Sequence, residues 1–162
     1  MKAVHIGLRQ RRSPALASSF FDPDMPAEWR VAFLLNEQDA LWVAGDDPDV
    51  DTVLAELADA PAPVFVVVEA AAWSPSWEDL REGGYHRVIR LDTDTPLWRP
   101  EADVQGASVG LVPASDEAAT LRDWLDRFAA QSPAEGALFV DGEPPSVATV
   151  DRLRTLVELM GL

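Results

Sequence analysis

Pro63-Val64-Phe65-Val66-Val67-Val68-Glu69 is an unbroken β-branched and aromatic run closed by a carboxylate. A strand with one face in water alternates apolar and polar residues. The continuous apolar stretch Val64–Val68 instead describes a strand covered on both faces, as in parallel sheets packed between helices. Open α/β folds place their ligands at the carboxyl ends of such strands. Glu69 therefore ends the core strand and is the first candidate binding residue. Burial of its carboxylate is costly, so it must find a partner or shift its titration. Its structural alternatives are capping the next turn or pairing with an arginine.

The same rhythm continues on both sides of this run. Ala3–Leu8 reads as the first strand. Asp24-Met25-Pro26 opens a helix to about Glu37, with Trp29, Ala32, Phe33 and Asn36 at helical spacing. Ala40–Ala44 is a second strand stopped by Gly45. Asp47-Pro48 has the form of an N-cap followed by proline at the first helical position. The helix it starts puts Val50, Val53, Leu54 and Leu57 on one face. Ser74-Pro75 repeats that signal for a short helix ended by Gly83-Gly84. Arg87–Leu91 is the fourth strand, and the aperiodic segment Asp92–Gly106 reads as a long loop.

Ala107–Val112 is the fifth strand. Ser115-Asp116-Glu117 begins a helix with Ala118, Leu121, Leu125 and Phe128 inward and acids suited to its positive end. Ala137–Val140 is the sixth strand. Ser146 caps a last helix with Val150, Leu153, Val157 and Met160 inward and Gly161 as its stop. This alternation predicts one α/β domain over residues 1–162: a mostly parallel six-stranded sheet flanked by helices, with right-handed crossovers. It is either open and doubly wound or truncated and barrel-like. A complete eight-stranded barrel usually takes about 250 residues, which favours the open sheet.

Composition narrows the function classes. The chain of 162 residues is long enough to bury a core, and with no cysteine it has neither disulfides nor thiolate metal sites. No apolar run approaches the roughly 20 residues that span a bilayer. Ala3–Leu8 is too short for a signal peptide and is followed by Arg9, Arg11 and Arg12 rather than a small-residue cleavage site. A cytoplasmic protein is expected. The net charge of −15 argues against nucleic acid and against anionic membrane surfaces. The charge is uneven: residues 1–21 hold four of the 13 bases and none of the 28 acids. Arg9 to Arg12 is thus a candidate anion-binding loop, or a loop that docks on the acidic body.

Several chemistries can be weighed on motifs. Arg90-Leu91-Asp92-Thr93-Asp94-Thr95 sends a strand into D-x-D-x-T, which resembles the first motif of haloacid-dehalogenase-type phosphatases. That resemblance implies Asp92 as nucleophile and Asp94 as general acid/base beside Mg²⁺. Here the string follows three strands, and the later acids Asp123 and Asp126 fall inside an amphipathic helix; a polar turn is the structural alternative. Asp47-Pro48-Asp49-Val50-Asp51 imitates a calcium loop but has Thr52 where the turn glycine belongs and Ala58 where the bidentate glutamate belongs. HExxH, GxSxG, GxGxxG and GxxxxGK[ST] strings are missing. His5 and His86 read as structural. Trp29 and Trp124 read as helix packing; Trp73, Trp77 and Trp98 fall where they could line a pocket or interface, or cover the core.

His5-Ile6-Gly7, Phe20-Phe21-Asp22-Pro23, Trp29 to Glu37 and Ala40-Leu41-Trp42-Val43 follow one another at spacings that resemble the bacterial TIM-barrel-like family called domain of unknown function seventy-two. The resemblance covers residues 3–45. It implies a truncated barrel-like fold and no established activity. The expectation is a domain that binds a small molecule or a protein, a second copy of itself included, without catalysis, cofactor or metal. Glu69, Trp73, Asp92, Asp94 and Arg9 are its candidate binding residues. The alternative is the Mg²⁺-dependent phosphatase using Asp92 and Asp94.

Overall fold

Among the described residues seven strands carry the fold, and they divide between two sheets. A computed structural model describes residues 3–162. In chain order its elements are β1 (Ala3–Leu8), α1 (Leu16–Ser19), α2 (Ala27–Glu37), β2 (Ala40–Val43), α3 (Val50–Ala58), β3 (Phe65–Glu69), α4 (Pro75–Gly83) and β4 (Arg87–Leu91). Then come β5 (Leu97–Trp98), β6 (Val109–Pro113), α5 (Ala118–Gln131), β7 (Glu135–Asp141) and α6 (Val147–Met160). A four-stranded sheet has the order β1-β7-β6-β5 and a three-stranded sheet the order β2-β3-β4; every pairing within them is parallel.

The expected single six-stranded sheet is corrected on two counts. The additional strand, β5, has two residues and lies in the segment read as loop, too short for periodicity to register. The break between the sheets falls between β1 and β2. There the Ile6 N–H donates to Asp39 Oδ1 at 3.2 Å and the Leu8 N–H to Gln38 Oε1 at 3.1 Å. Side chains from just before β2 thus take donors that a neighbouring strand's carbonyls would otherwise satisfy. Gly7 makes the approach feasible: a Cβ there would lie 2.4 Å from the Ala40 carbonyl oxygen.

β3 is buried on both faces, as its sequence predicts, with bounds one residue later than Val64–Val68. Val66 and Val68 pack with Leu41, Val43 and Val88 against Val31, Leu34, Val53, Leu57 and Trp77 of the helices. Phe65 and Val67 point the other way, with Ala40 and Trp42, and meet Val109, Leu111, Ala137 and Phe139 of the four-stranded sheet. The two sheets therefore share an apolar layer. The far face of the larger sheet packs Val4, Ile6, Leu8, Leu138 and Val140 on α5 and α6. Each fully buried side chain of this kind contributes about 1.5–3 kcal/mol, which makes β3 a principal anchor.

Helix signals fared unevenly. Ser74-Pro75 starts α4, and Ser146 Oγ accepts the Thr149 N–H at 3.2 Å at the start of α6. Gly84 and Gly161 end their helices in the left-handed conformation (φ 75° and 70°). Asp47 is not a cap: α3 starts at Val50, because the Asp47 and Asp49 carboxylates are both taken by Arg11. α2 starts at Ala27 rather than Asp24, and α5 at Ala118 rather than Ser115. On α2 the buried stripe is Val31 and Leu34, whereas Trp29 is 63% exposed. Phe33 turns instead to Phe20 and Phe21, with ring centres 5.2 and 5.9 Å away. Ala118 is exposed, and Trp124 joins Leu121, Leu125 and Phe128 in the core.

Candidate functional site

The carboxyl ends of β1, β2, β3 and β7 meet around a cleft of about 280 Å³. Arg9 to Ser13 follow β1, Trp42 comes from β2 with Ala44 and Asp47 just after it, Glu69 ends β3, and Glu143 follows β7. This is the edge to which parallel α/β architecture assigns its ligands.

Glu69 is held in an unexpected way. Its Oε2 accepts the Trp42 indole N–H at 2.7 Å, and its Oε1 accepts the Gly45 backbone N–H at 3.3 Å. Both donors are neutral, and no cation forms an ion pair with Glu69 among the described residues. It neither caps its own following turn nor pairs with arginine. Trp42 is the residue that sequence reasoning missed. It sits opposite Val67 in the β2–β3 register, two residues before Glu69 on the same face. That diagonal relation is visible only once the register is known.

Arg9 stands on the other side of Trp42, its guanidinium 5.3 Å from the indole ring centre. Its Nη1 donates to both Asp141 oxygens, at 3.1 and 3.2 Å. Gln10 Nε2 donates to Asp141 Oδ1 at 2.5 Å, and Gln10 Oε1 accepts the Gly142 N–H at 3.1 Å. Burial alone would raise the Asp141 pKa, but the Gln10 and Arg9 contacts outweigh it and hold it below the usual carboxylate value. The floor of the loop is Arg11, with a side chain only 4% exposed. Its Nε donates to the Trp42 carbonyl at 2.8 Å, and its two Nη groups reach Asp49 and Asp47 at 2.9 and 2.7 Å. Burial keeps Asp47 above the ordinary range despite Arg11; at Asp49 the hydrogen bonds and charge of Arg11, aided by Arg12, overcome burial and hold it below. The basic loop thus docks on the acidic body.

The remaining predicted residues lie elsewhere. Two guanidinia lie over the Trp73 ring, Arg81 at 5.2 Å and Arg90 at 5.8 Å from its centre. That contact explains a charged residue inside β4. Asp92 and Asp94 are exposed in a tight turn. The Asp94 N–H donates to Asp92 Oδ1 at 3.2 Å, and the Asp92 N–H donates to Thr95 Oγ1 at 3.1 Å. Neither lines the cleft. Of the five candidates, the structure brings Arg9 and Glu69 together there. Among the described residues no three His, Asp or Glu side chains are grouped to hold a metal ion. Trp77 and Trp98 are fully buried in the core.

The histidines are at the opposite end. His86 is buried, with Nδ1 accepting the Val64 N–H at 3.0 Å and Nε2 donating to the Leu57 carbonyl at 2.7 Å. His5 lies between Asp39 Oδ2 at 2.7 Å and Glu135 Oε1 at 2.9 Å. Burial opposes its protonation, but hydrogen bonds and charge from those two carboxylates outweigh burial and raise its pKa.

No protein-family model matches the chain, and no curated protein is detectably similar to it.

Proposed function

We propose that the chain is a binding domain that takes a small polar ligand in the carboxyl-end cleft, with Glu69 as the recognising carboxylate. The observation that carries this is the mode of holding Glu69. An indole and an amide fix its orientation without neutralising it, so its charge is directed at whatever enters the cleft. The complementary group is an amine, a guanidine or another donor of charge-assisted hydrogen bonds. Arg9, anchored by Asp141 and stacked on Trp42, supplies a rigid wall beside it. The approach of β1 to β2 through Asp39 and Gln38, and the apolar layer the two sheets share, support a barrel-like arrangement left open at the β1–β2 joint and between β4 and β5. It is in keeping with the resemblance over residues 3–45.

Titration of isotopically labelled protein with ethanolamine, putrescine and arginine tests the reading. The Trp42 indole and Gly45 amide signals are expected to move, and Glu69→Gln to abolish the movement. Silence at both groups across all three amines would remove the proposal. The phosphatase alternative is tested with an aryl phosphate and Mg²⁺. No turnover is expected; turnover lost in Asp92→Asn would replace the binding reading with that enzyme.

A further inference from the structure

A second cleft, of about 330 Å³, lies between α2 and the loop after β1. Its walls combine Phe21, Val31 and Leu34 with Arg12, Ser13 and Arg30. Arg30 is the unusual member. Its guanidinium lies 5.3 Å from the Phe21 ring centre, and its Nε is shielded from solvent without any hydrogen-bond partner.

The other arginines that are at least partly shielded from solvent, among the described residues, all have an oxygen partner. Arg9 has Asp141, Arg11 has Asp47 and Asp49, Arg127 has Asp103, and Arg154 has the Glu37 carbonyl. An unpaired, half-buried guanidinium is surprising in a chain with 28 acids and 13 bases, because a shielded donor without an acceptor is costly. Arg12 borders the same space and contacts Asp49 only through Nε, at 3.5 Å. Two negative side chains also border the cleft. Asp49 is already engaged by Arg11 and Arg12, which leaves Glu28 at the start of α2 to select against a bulky polyanion.

We infer that this cleft binds a small organic carboxylate, its acid group between the Arg30 and Arg12 guanidinia and its apolar body against Phe21, Val31 and Leu34. Planar guanidinium donors match a carboxylate in geometry as well as in charge. The apolar wall favours a ligand with an aromatic or branched body over a bare anion. The cleft shares Arg11, Arg12 and Ser13 with the one at Glu69, but Arg30 and the apolar wall belong to it alone, and its ligand has the opposite charge.

Benzoate is the probe. Titrated into the full chain and followed by calorimetry and by the Arg30 Nε–H signal, it is expected to bind at least tenfold more tightly than benzamide, its neutral counterpart. Arg30→Gln is expected to weaken benzoate at least tenfold, and Arg30→Lys, which keeps the charge and loses the fork, to fall between. Inorganic phosphate should compete poorly. Equal binding of benzamide, indifference to Arg30→Gln in protein that remains folded by circular dichroism, or phosphate competing as well as benzoate would each overturn the inference.

Discussion

The two ends of the parallel strands handle charge in opposite ways. At the amino end His5 is gripped by Asp39 before β2 and Glu135 at the start of β7, so one imidazole is met by two carboxylates that raise its pKa. At the carboxyl end Glu69 is held by an indole and a backbone amide, with no cation paired to it. The first arrangement ties β1 to its neighbours. The second fixes a side chain without a direct ion pair among the described residues. Charge met by charge holds strands together; charge held by dipoles remains available to a ligand.

The sharpest way to break the contrast is at Arg11, the most buried of the ion-paired arginines at the carboxyl end. Arg11→Met leaves Asp47, Asp49 and the Trp42 carbonyl without their donors. A loss of about 3–5 kcal/mol is expected, read as a lowered denaturant midpoint at constant slope. A loss under about 1 kcal/mol would show the cluster to be a solvated loop. Next comes the joint between the sheets. Gly7→Ala places a methyl against the Ala40 carbonyl and should cost about 2 kcal/mol. Exchange of the Ile6 and Leu8 amides should quicken while that of Val66 does not; uniform quickening would contradict a local joint.

Trp42→Phe keeps the ring and removes the indole donor to Glu69. About 1.5 kcal/mol should be lost, and Glu69→Gln made in the same background should add little, since the two share one bond. Full additivity in that double-mutant cycle would mean that the bond is not made. The smallest effect concerns pH. His5 has a raised pKa, so its contribution is complete below the ordinary histidine value of 6.5 and fades as pH climbs through the raised one. Asp39 is lowered: burial opposes this but the His5 hydrogen bond and charge prevail, so its share is complete above 3.8 and fades as pH falls. Between those values the latch is strongest. Because Asp39 and Glu135 are 45% and 43% exposed, solvent screening limits it to about 1 kcal/mol or less. Stability should therefore decline from pH 6 to 8 in the native chain and stay flatter in His5→Gln.

How much of this was legible beforehand depended on distance along the chain. Val64–Val68 could be read because five apolar residues in succession have one structural meaning, and Glu69 because it breaks the run at the ligand edge. Ser146 and Gly161 were readable because capping is local. Asp47 was misread because its partner, Arg11, lies 36 residues upstream, and nothing local distinguishes an ion-paired aspartate from a cap. Gln38 and Asp39 look like an ordinary polar turn; their use as acceptors for β1 depends on the two strands already being side by side. Trp42 needed the register, and Arg30 needed a cleft. Long-range polar pairing is what a single sequence conceals best.

The position of β1 has a consequence for how the chain assembles. Its hydrogen-bonded partner is β7, and the contact between His5 and Glu135 spans 130 residues. Neighbours in the smaller sheet are joined over far shorter loops, 22 residues from Val64 to His86. Loop-closure entropy favours the short closures first. During synthesis the β2-β3-β4 sheet has all its strands long before β1 can meet β7, and Ile6 to Leu8 must wait without their β7 neighbour and the apolar cover of α5 and α6. Pulse-labelled refolding should protect Val66 to Val68 before Arg9, whose N–H donates to the Val140 carbonyl of β7 at 3.1 Å, and the interval between them is when an unfinished copy of this chain is most open to capture by a neighbour.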